Sequence, residues 1–241
     1  MTGVPLEQDE LEADMPPLPE TELNFSAFEQ RLDDMLANED ASWLGRWRAL
    51  PVKKRLIAWT GAALLAIAFA VFVSRRGDWQ MYPKDRMVVV VAVLAALWAA
   101  GALWLHKPLD RPAEGRIAGA GWILLGLSVP LGFALLPMAH EHHELSRAGV
   151  GHDLVPRALG CVLWGTFTAL PATAILLITD RQPSRRRRLF AGAVGGLLAN
   201  LTLQLHCPLT SRLHLVLGHF TVGLVLVVIA ALFARRFGPT S

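Results

Sequence analysis

The sequence predicts an all-α fold: an integral membrane bundle of six transmembrane helices with a cytoplasmic N-terminal tail. Three observations predict it. Apolar residues make up 53% of the 241-residue chain and charged residues only 18%, below the ~25% usual for soluble domains. The apolar residues lie in long blocks without Asp, Glu, Lys or Arg. The acidic residues crowd ahead of the first block, twelve within residues 1–40 against one basic residue, Arg31.

Residues 1–25 read as a disordered acidic tail, rich in Pro and acid and too poor in apolar side chains to offset the entropy of folding. Ser26-Ala27-Phe28-Glu29 then has the form of a capping box. Phe28, Leu32 and Met35/Leu36 follow at helical spacing, with Gln30, Asp33 and Asp34 on the opposite face, so residues 26–37 form a short amphipathic helix. A lone helix of this length is marginal in water and needs a surface on which to bury Phe28 and Leu32. The inner leaflet is negative and repels it. A protein partner with a basic-rimmed apolar groove, or the protein's own basic inner loops, would serve. Trp43, Leu44, Trp47 and Leu50 line one side of the next segment beside Arg46 and Arg48, as in an interfacial helix. Residues 26–55 thus form a cytoplasmic amphipathic and interfacial region.

Residues 56–236 carry the spans. A bilayer core about 30 Å thick needs roughly 20 apolar residues per helix. Six stretches fit: Leu56 to Val73, Met87 to Leu105, Ile117 to Met138, Ala158 to Thr179, Leu189 to Leu205 and His214 to Phe233. Helices are required because lipid offers loose backbone groups no partner. The first block begins behind a long acidic stretch and reads as a retained anchor, not a cleaved signal. Pro130 and Pro171 are expected to kink the third and fourth spans.

Lys and Arg in short loops set orientation. With the N-terminus inside, the inner segments carry fifteen (Arg46 to Arg236) and the outer loops seven, the Arg75/Arg76 pair being the weak point. The reading is a multi-pass protein of the cell inner membrane with both termini cytoplasmic. The run Arg185–Arg188 lies between two spans, where a basic cluster anchors topology and meets anionic lipid. No direct nucleic-acid contact is expected from it.

This orientation puts both cysteines and seven of the eight histidines on the outward half, His106 excepted. Cys161 lies near the outer end of the fourth span, His206 and Cys207 end the fifth, and His214 opens the sixth, with His219 further in. A short loop makes the fourth and fifth spans antiparallel neighbours, which brings Cys161 and Cys207 to one depth. Cys161, His206, Cys207 and His214 are therefore redox or metal candidates. Three chemistries stay open: a disulfide, a Zn or Cu(I) site, and a haem with His ligands. Ordinary packing of buried cysteine is the alternative to all three. His140 to His143 read as a solvated loop that binds metal loosely.

On the fifth span, Gly192, Gly196, Asn200 and Gln204 recur every four residues. Small residues admit a neighbouring helix and amides bond across it, so the stripe is a helix-packing face. A polar solute path is the other reading. There is no nucleophile with a paired base, no Gly-rich phosphate loop and no carboxylate within the spans. The chain is therefore not expected to be an enzyme. The missing carboxylate also weighs against ion-coupled transport, leaving a small-solute transporter or channel, or a membrane redox or metal protein, as rival classes.

Leu203-Gln204-Leu205-His206-Cys207-Pro208, followed by His214 and His219, resembles the outer end of the NrsF-type family of bacterial six-span membrane anti-sigma factors. Cys161, the Arg-rich inner loop and the Gly-rich start of the fifth span support the resemblance, which covers roughly residues 50–236. The chain departs from the family where Leu209-Thr210-Ser211 replaces the acidic residues of many members, and its tail is longer and more acidic. The resemblance implies a cytoplasmic tail that holds an alternative sigma factor away from RNA polymerase until an outside signal is sensed. Phe25, Phe28, Leu32, Met35 and Leu36 are then the sigma-binding candidates. An acidic helix suits the basic DNA-binding faces of sigma factors, aiding encounter and partner choice more than affinity.

Overall fold

The computed structural model describes residues 29–31, 33–34, 42–73, 77, 84–106, 120–121, 123–124, 126–132, 154–180, 184–209 and 211–237. Among them every regular element is a helix. The chain divides into two compact units, Met1–Ser42 and Trp43–Ser241. In the first, residues 29–31 and 33–34 are helical and exposed. Phe25, Phe28, Leu32, Met35 and Leu36 lie outside the described residues.

The second unit opens with α1 (Trp43–Ala49), a short helix whose Trp43 and Trp47 rings meet edge to face at 6.1 Å. Long helices follow: α2 (Val52–Phe72), α3 (Lys84–His106), α4 (Leu154–Thr179) and α5 (Arg185–His206). The last, α6, consists of Arg212–His214, a π-helical turn Leu215–Phe220, and Thr221–Phe237. These five helices are long and apolar enough to cross a membrane, and they define a multi-pass membrane protein. Half of the expected span at 117–138 falls outside the described residues; those described within it, 120–121, 123–124 and 126–132, are helical. Pro171 sits inside α4, which continues through it to Thr179.

Helix α5 is the hub. Of its apolar window 83% is buried, against 28–44% in the other four, and it packs on α2, α3, α4 and α6. Lipid gives no hydrophobic drive for helix association, so close backbone approach must supply the contact. A Cβ on Gly192 would lie 2.7 Å from the Leu226 carbonyl oxygen and 2.8 Å from Val227 Cα. One on Gly196 would lie 2.8 Å from Gly223 Cα. The backbone of α6 therefore rests directly on these two glycines. On the α3 side, Val194 fills the space a Cβ on Gly101 would need. The Trp59 and Trp98 rings stack at 4.4 Å between α2 and α3. Outward-facing Leu65, Phe72 and Leu163 are more than two-thirds exposed, as a lipid-facing surface requires.

The first turn of α5 differs from expectation. Arg185–Arg188 belong to the helix rather than to a loop, and Ser184 caps it by accepting from the Arg187 backbone N–H at 3.2 Å. Arg187 and Arg188 are buried, while Arg185 and Arg186 are exposed. Arg187 Nε donates to both Asp180 carboxylate oxygens at 3.1 Å, and its Nη2 donates to the Leu105 carbonyl. Arg55 Nη1 donates to the Thr179 carbonyl at 2.8 Å. Arg188 Nη1 reaches the Phe233 carbonyl at 3.5 Å, and its guanidinium lies 5.7 Å from the Phe233 ring. Charges at this depth persist only with partners, and here the partners come from α3, α4, the residue after α4, and α6. This arginine end ties five helices together.

Candidate functional site

The opposite end of α5 carries the thiols. Cys161 projects from the second turn of α4. Cys207 follows the last residue of α5 and leaves the helix at φ −86°, ψ 121°, while its N–H still donates to the Leu203 carbonyl at 2.7 Å. Pro208 explains the exit, since a residue before proline is pushed from helical to extended backbone. The chain re-enters a helix after Ser211, and His214 ends its first turn.

These elements bring two sulfurs and an imidazole together. Cys161 Sγ lies 3.5 Å from Cys207 Sγ, and each sulfur lies 3.3 Å from His214 Nε2. The two cysteines are unbonded thiols. His219 completes the group: one ligand atom from each of Cys161, Cys207, His214 and His219 falls within a 4.8 Å span. All four side chains are buried, His214 at 0% and His219 at 3% exposure. Neither ring nitrogen of His219, nor His214 Nδ1, has a hydrogen-bond partner.

The π turn delivers His219. At 3.6 residues per turn, positions five apart on an α-helix point about 140° away from each other. A π turn, bonded i to i+5, sets such residues one above the other. Leu215–Phe220 is π-helical, and the His214 and His219 rings accordingly meet at 5.8 Å. Neighbours hold the turn. Asn200 Nδ2 donates to the His219 carbonyl at 3.1 Å, and Thr221 Oγ1 to the Val216 carbonyl at 3.4 Å. A Cβ on Gly218 would lie 3.2 Å from Cys161 Cβ, so glycine lets the turn press against α4.

Among the sequence candidates, Cys161, Cys207 and His214 converge and His206 does not. The His206 ring stacks on Trp164 at 4.6 Å, and Trp164 in turn stacks on Phe69 at 5.1 Å. The fourth corner belongs to His219. Its sequence signals are its place after His214 in the family resemblance and the five-residue spacing between them, which α-helical periodicity places on a different face. Gly192, Gly196 and Asn200 face α6, and the Asn200 amide also donates to the Gly196 carbonyl at 2.9 Å. Gln204 is half-buried. His140, His142, His143 and His152 lie outside the described residues. His106 sits at the arginine end, its Nδ1 2.7 Å from the Ala102 carbonyl.

Fold and site together define a class: a multi-pass helical membrane protein with a buried two-thiol, two-imidazole centre at one end of its central helix and a bonded arginine cluster at the other. Residues 41–237 match the family model NrsF, negative regulator of sigma F. The chain belongs to that family, one of regulators rather than enzymes. The match takes in the whole bundle and all four site residues and begins after the acidic tail. No curated protein and no solved structure matches the chain.

Proposed function

We propose that this chain is a membrane-bound anti-sigma regulator of the bacterial inner membrane, whose cytoplasmic tail sequesters an alternative sigma factor until a signal from outside is sensed. The family match over residues 41–237 carries the reading. Charge supports the division of labour: twelve acidic residues in 1–40 complement a basic sigma-factor face and speed its capture. Fifteen Lys and Arg on the inner segments against seven on the outer loops favour both termini in the cytoplasm. That orientation turns the Cys161/Cys207 end outward, where a signal arrives.

The transporter reading loses its main support. The amide of Asn200 is committed to two carbonyls and the glycines of the same stripe to α6, so the stripe is used in helix contact.

The test is capture of the host cell's alternative sigma factors by the full-length protein in detergent. Phe28→Asp with Leu32→Asp removes two apolar anchors, and affinity is expected to fall by about tenfold or more. A wild-type chain that captures no sigma factor sinks the anti-sigma reading. A double variant that captures it as well as wild type sinks the role of the tail helix.

A further inference from the structure

We propose that Cys161, Cys207, His214 and His219 bind a zinc ion, and that this ion holds α6 in its π-helical turn. The proposal stands apart from the anti-sigma reading and would hold in a chain that bound no sigma factor.

The donor set points to zinc. Two thiols and two imidazoles form a Cys2His2 set, one of the common structural zinc sites. With Zn–S near 2.3 Å and Zn–N near 2.0–2.1 Å, a tetrahedron has donor–donor edges of about 3.3–3.8 Å. The three separations among Cys161 Sγ, Cys207 Sγ and His214 Nε2 are 3.3, 3.3 and 3.5 Å. Among the described residues no carboxylate joins the group, which disfavours magnesium, calcium and manganese. Four mixed N/S donors suit Zn(II), whereas Cu(I) is selected by soft sulfur ligands.

Burial and charge agree. Polar atoms taken out of water cost free energy unless something satisfies them, and both ring nitrogens of His219 are buried without a partner. A cation satisfies one nitrogen on each imidazole and both sulfurs at once. Binding releases the two thiol protons to water. Two thiolates, two neutral imidazoles and Zn2+ then sum to zero charge, the state that costs least inside a membrane bundle.

The π turn supplies the independent observation. A π turn is rare and is frequently found at functional sites. Relaxed to an α-helix, this stretch would carry His219 off the face that holds His214, leaving three donors. The turn and the fourth donor therefore stand or fall together. The clamp joins α4, the end of α5 and α6, three elements that sequence separation keeps 46 residues apart between Cys161 and Cys207.

Full-length protein purified in detergent, without added chelator, is analysed for metal and then exchanged with Co(II). The expected result is about one zinc per chain and a cobalt form showing tetrahedral ligand-field bands with thiolate-to-cobalt charge transfer. Cys161→Ser and His219→Ala should weaken the metal by more than the roughly 10–100-fold typical of outer-shell changes. His206→Ala, whose ring faces Trp164, should retain it. Deleting Leu217 removes no donor and turns the five-residue spacing of the two histidines into four, which a regular α-helix places about 40° apart on one face, so the deletion should keep zinc without the π turn. Helical circular dichroism and a monodisperse elution profile establish that each variant is folded. A wild-type chain that holds no zinc and gives no thiolate–cobalt spectrum overturns the site. Wild-type zinc affinity in His219→Ala, or loss of zinc from the folded Leu217 deletion, overturns the role of the π turn.

Discussion

Gly192 and Gly61 are the same residue in two spanning helices and carry opposite demands. At Gly61 a Cβ would meet nothing within 4 Å, whereas at Gly192 the obstacle is the backbone of α6 itself. Backbone cannot yield as a side-chain tip can, so Gly192→Val must part α5 from α6. Overpacking of this kind costs about 1–3 kcal/mol, and Gly61→Ala should stay within about 0.5 kcal/mol. Thermal unfolding in detergent separates the two; equal midpoints would refute the close approach. Asp180 makes a second residue-scale case. It and Arg187 form a pair exposed at 7% and 5%, and breaking a buried pair from one side costs about 3–5 kcal/mol because a charge is left behind. Asp180→Asn should therefore lower the unfolding midpoint more than the double change Asp180→Asn/Arg187→Gln does, and the reverse order would argue against a buried ion pair.

At the scale of elements, what periodicity and charge reveal depends on whether a helix stays regular. Cys161 and Cys207 can be placed near one another from sequence because a short connection makes consecutive spans antiparallel, and both ends of that argument rest on unbroken α-helix. His219 cannot, because a one-residue irregularity in α6 reverses the face on which it lies. Apolar blocks mark where a span ends, so Arg187 and Arg188 read as loop anchors; buried guanidinium groups at a helix start become visible only with Asp180 and the carbonyls of Leu105 and Phe233 in place. The stripe on α5 is legible as a packing face, but not the partner helix, which depends on the three-dimensional order of the bundle. One α4–α5 contact is measurable by itself: Thr168 Oγ1 and Thr202 Oγ1 lie 3.0 Å apart. Polar contacts between membrane helices average only about 0.6 kcal/mol, because the unfolded chain in lipid also finds partners. A double-mutant cycle with Thr168→Val and Thr202→Val should return a coupling of that size, and a value above ~1.7 kcal/mol would mean that the pair belongs to a larger polar network.

For the whole molecule, the division into Met1–Ser42 and Trp43–Ser241 makes the tail separable from the bundle. The family match begins at residue 41, and among the described residues the helices that pack on α5 all lie within residues 52–237. A chain lacking residues 1–40 should therefore still insert and fold, retaining the unfolding midpoint of the full protein. It should lose the acidic segment proposed to draw a basic sigma factor, together with the candidate anchors Phe25, Phe28, Leu32, Met35 and Leu36. If sequestration resides in the tail, a sigma-dependent reporter in cells carrying the truncated chain rises to the level seen when the gene is deleted. The opposite outcome is equally informative: a silent reporter with a folded, membrane-inserted truncation places the grip on the bundle's own inner loops. The tail would then act on encounter rate alone, a contribution that falls steeply with salt because it is electrostatic. Measuring association of sigma factor with the full chain at low and high ionic strength distinguishes steering from holding, since steering changes the on-rate while an apolar anchor of the kind proposed for Phe28 would change the off-rate.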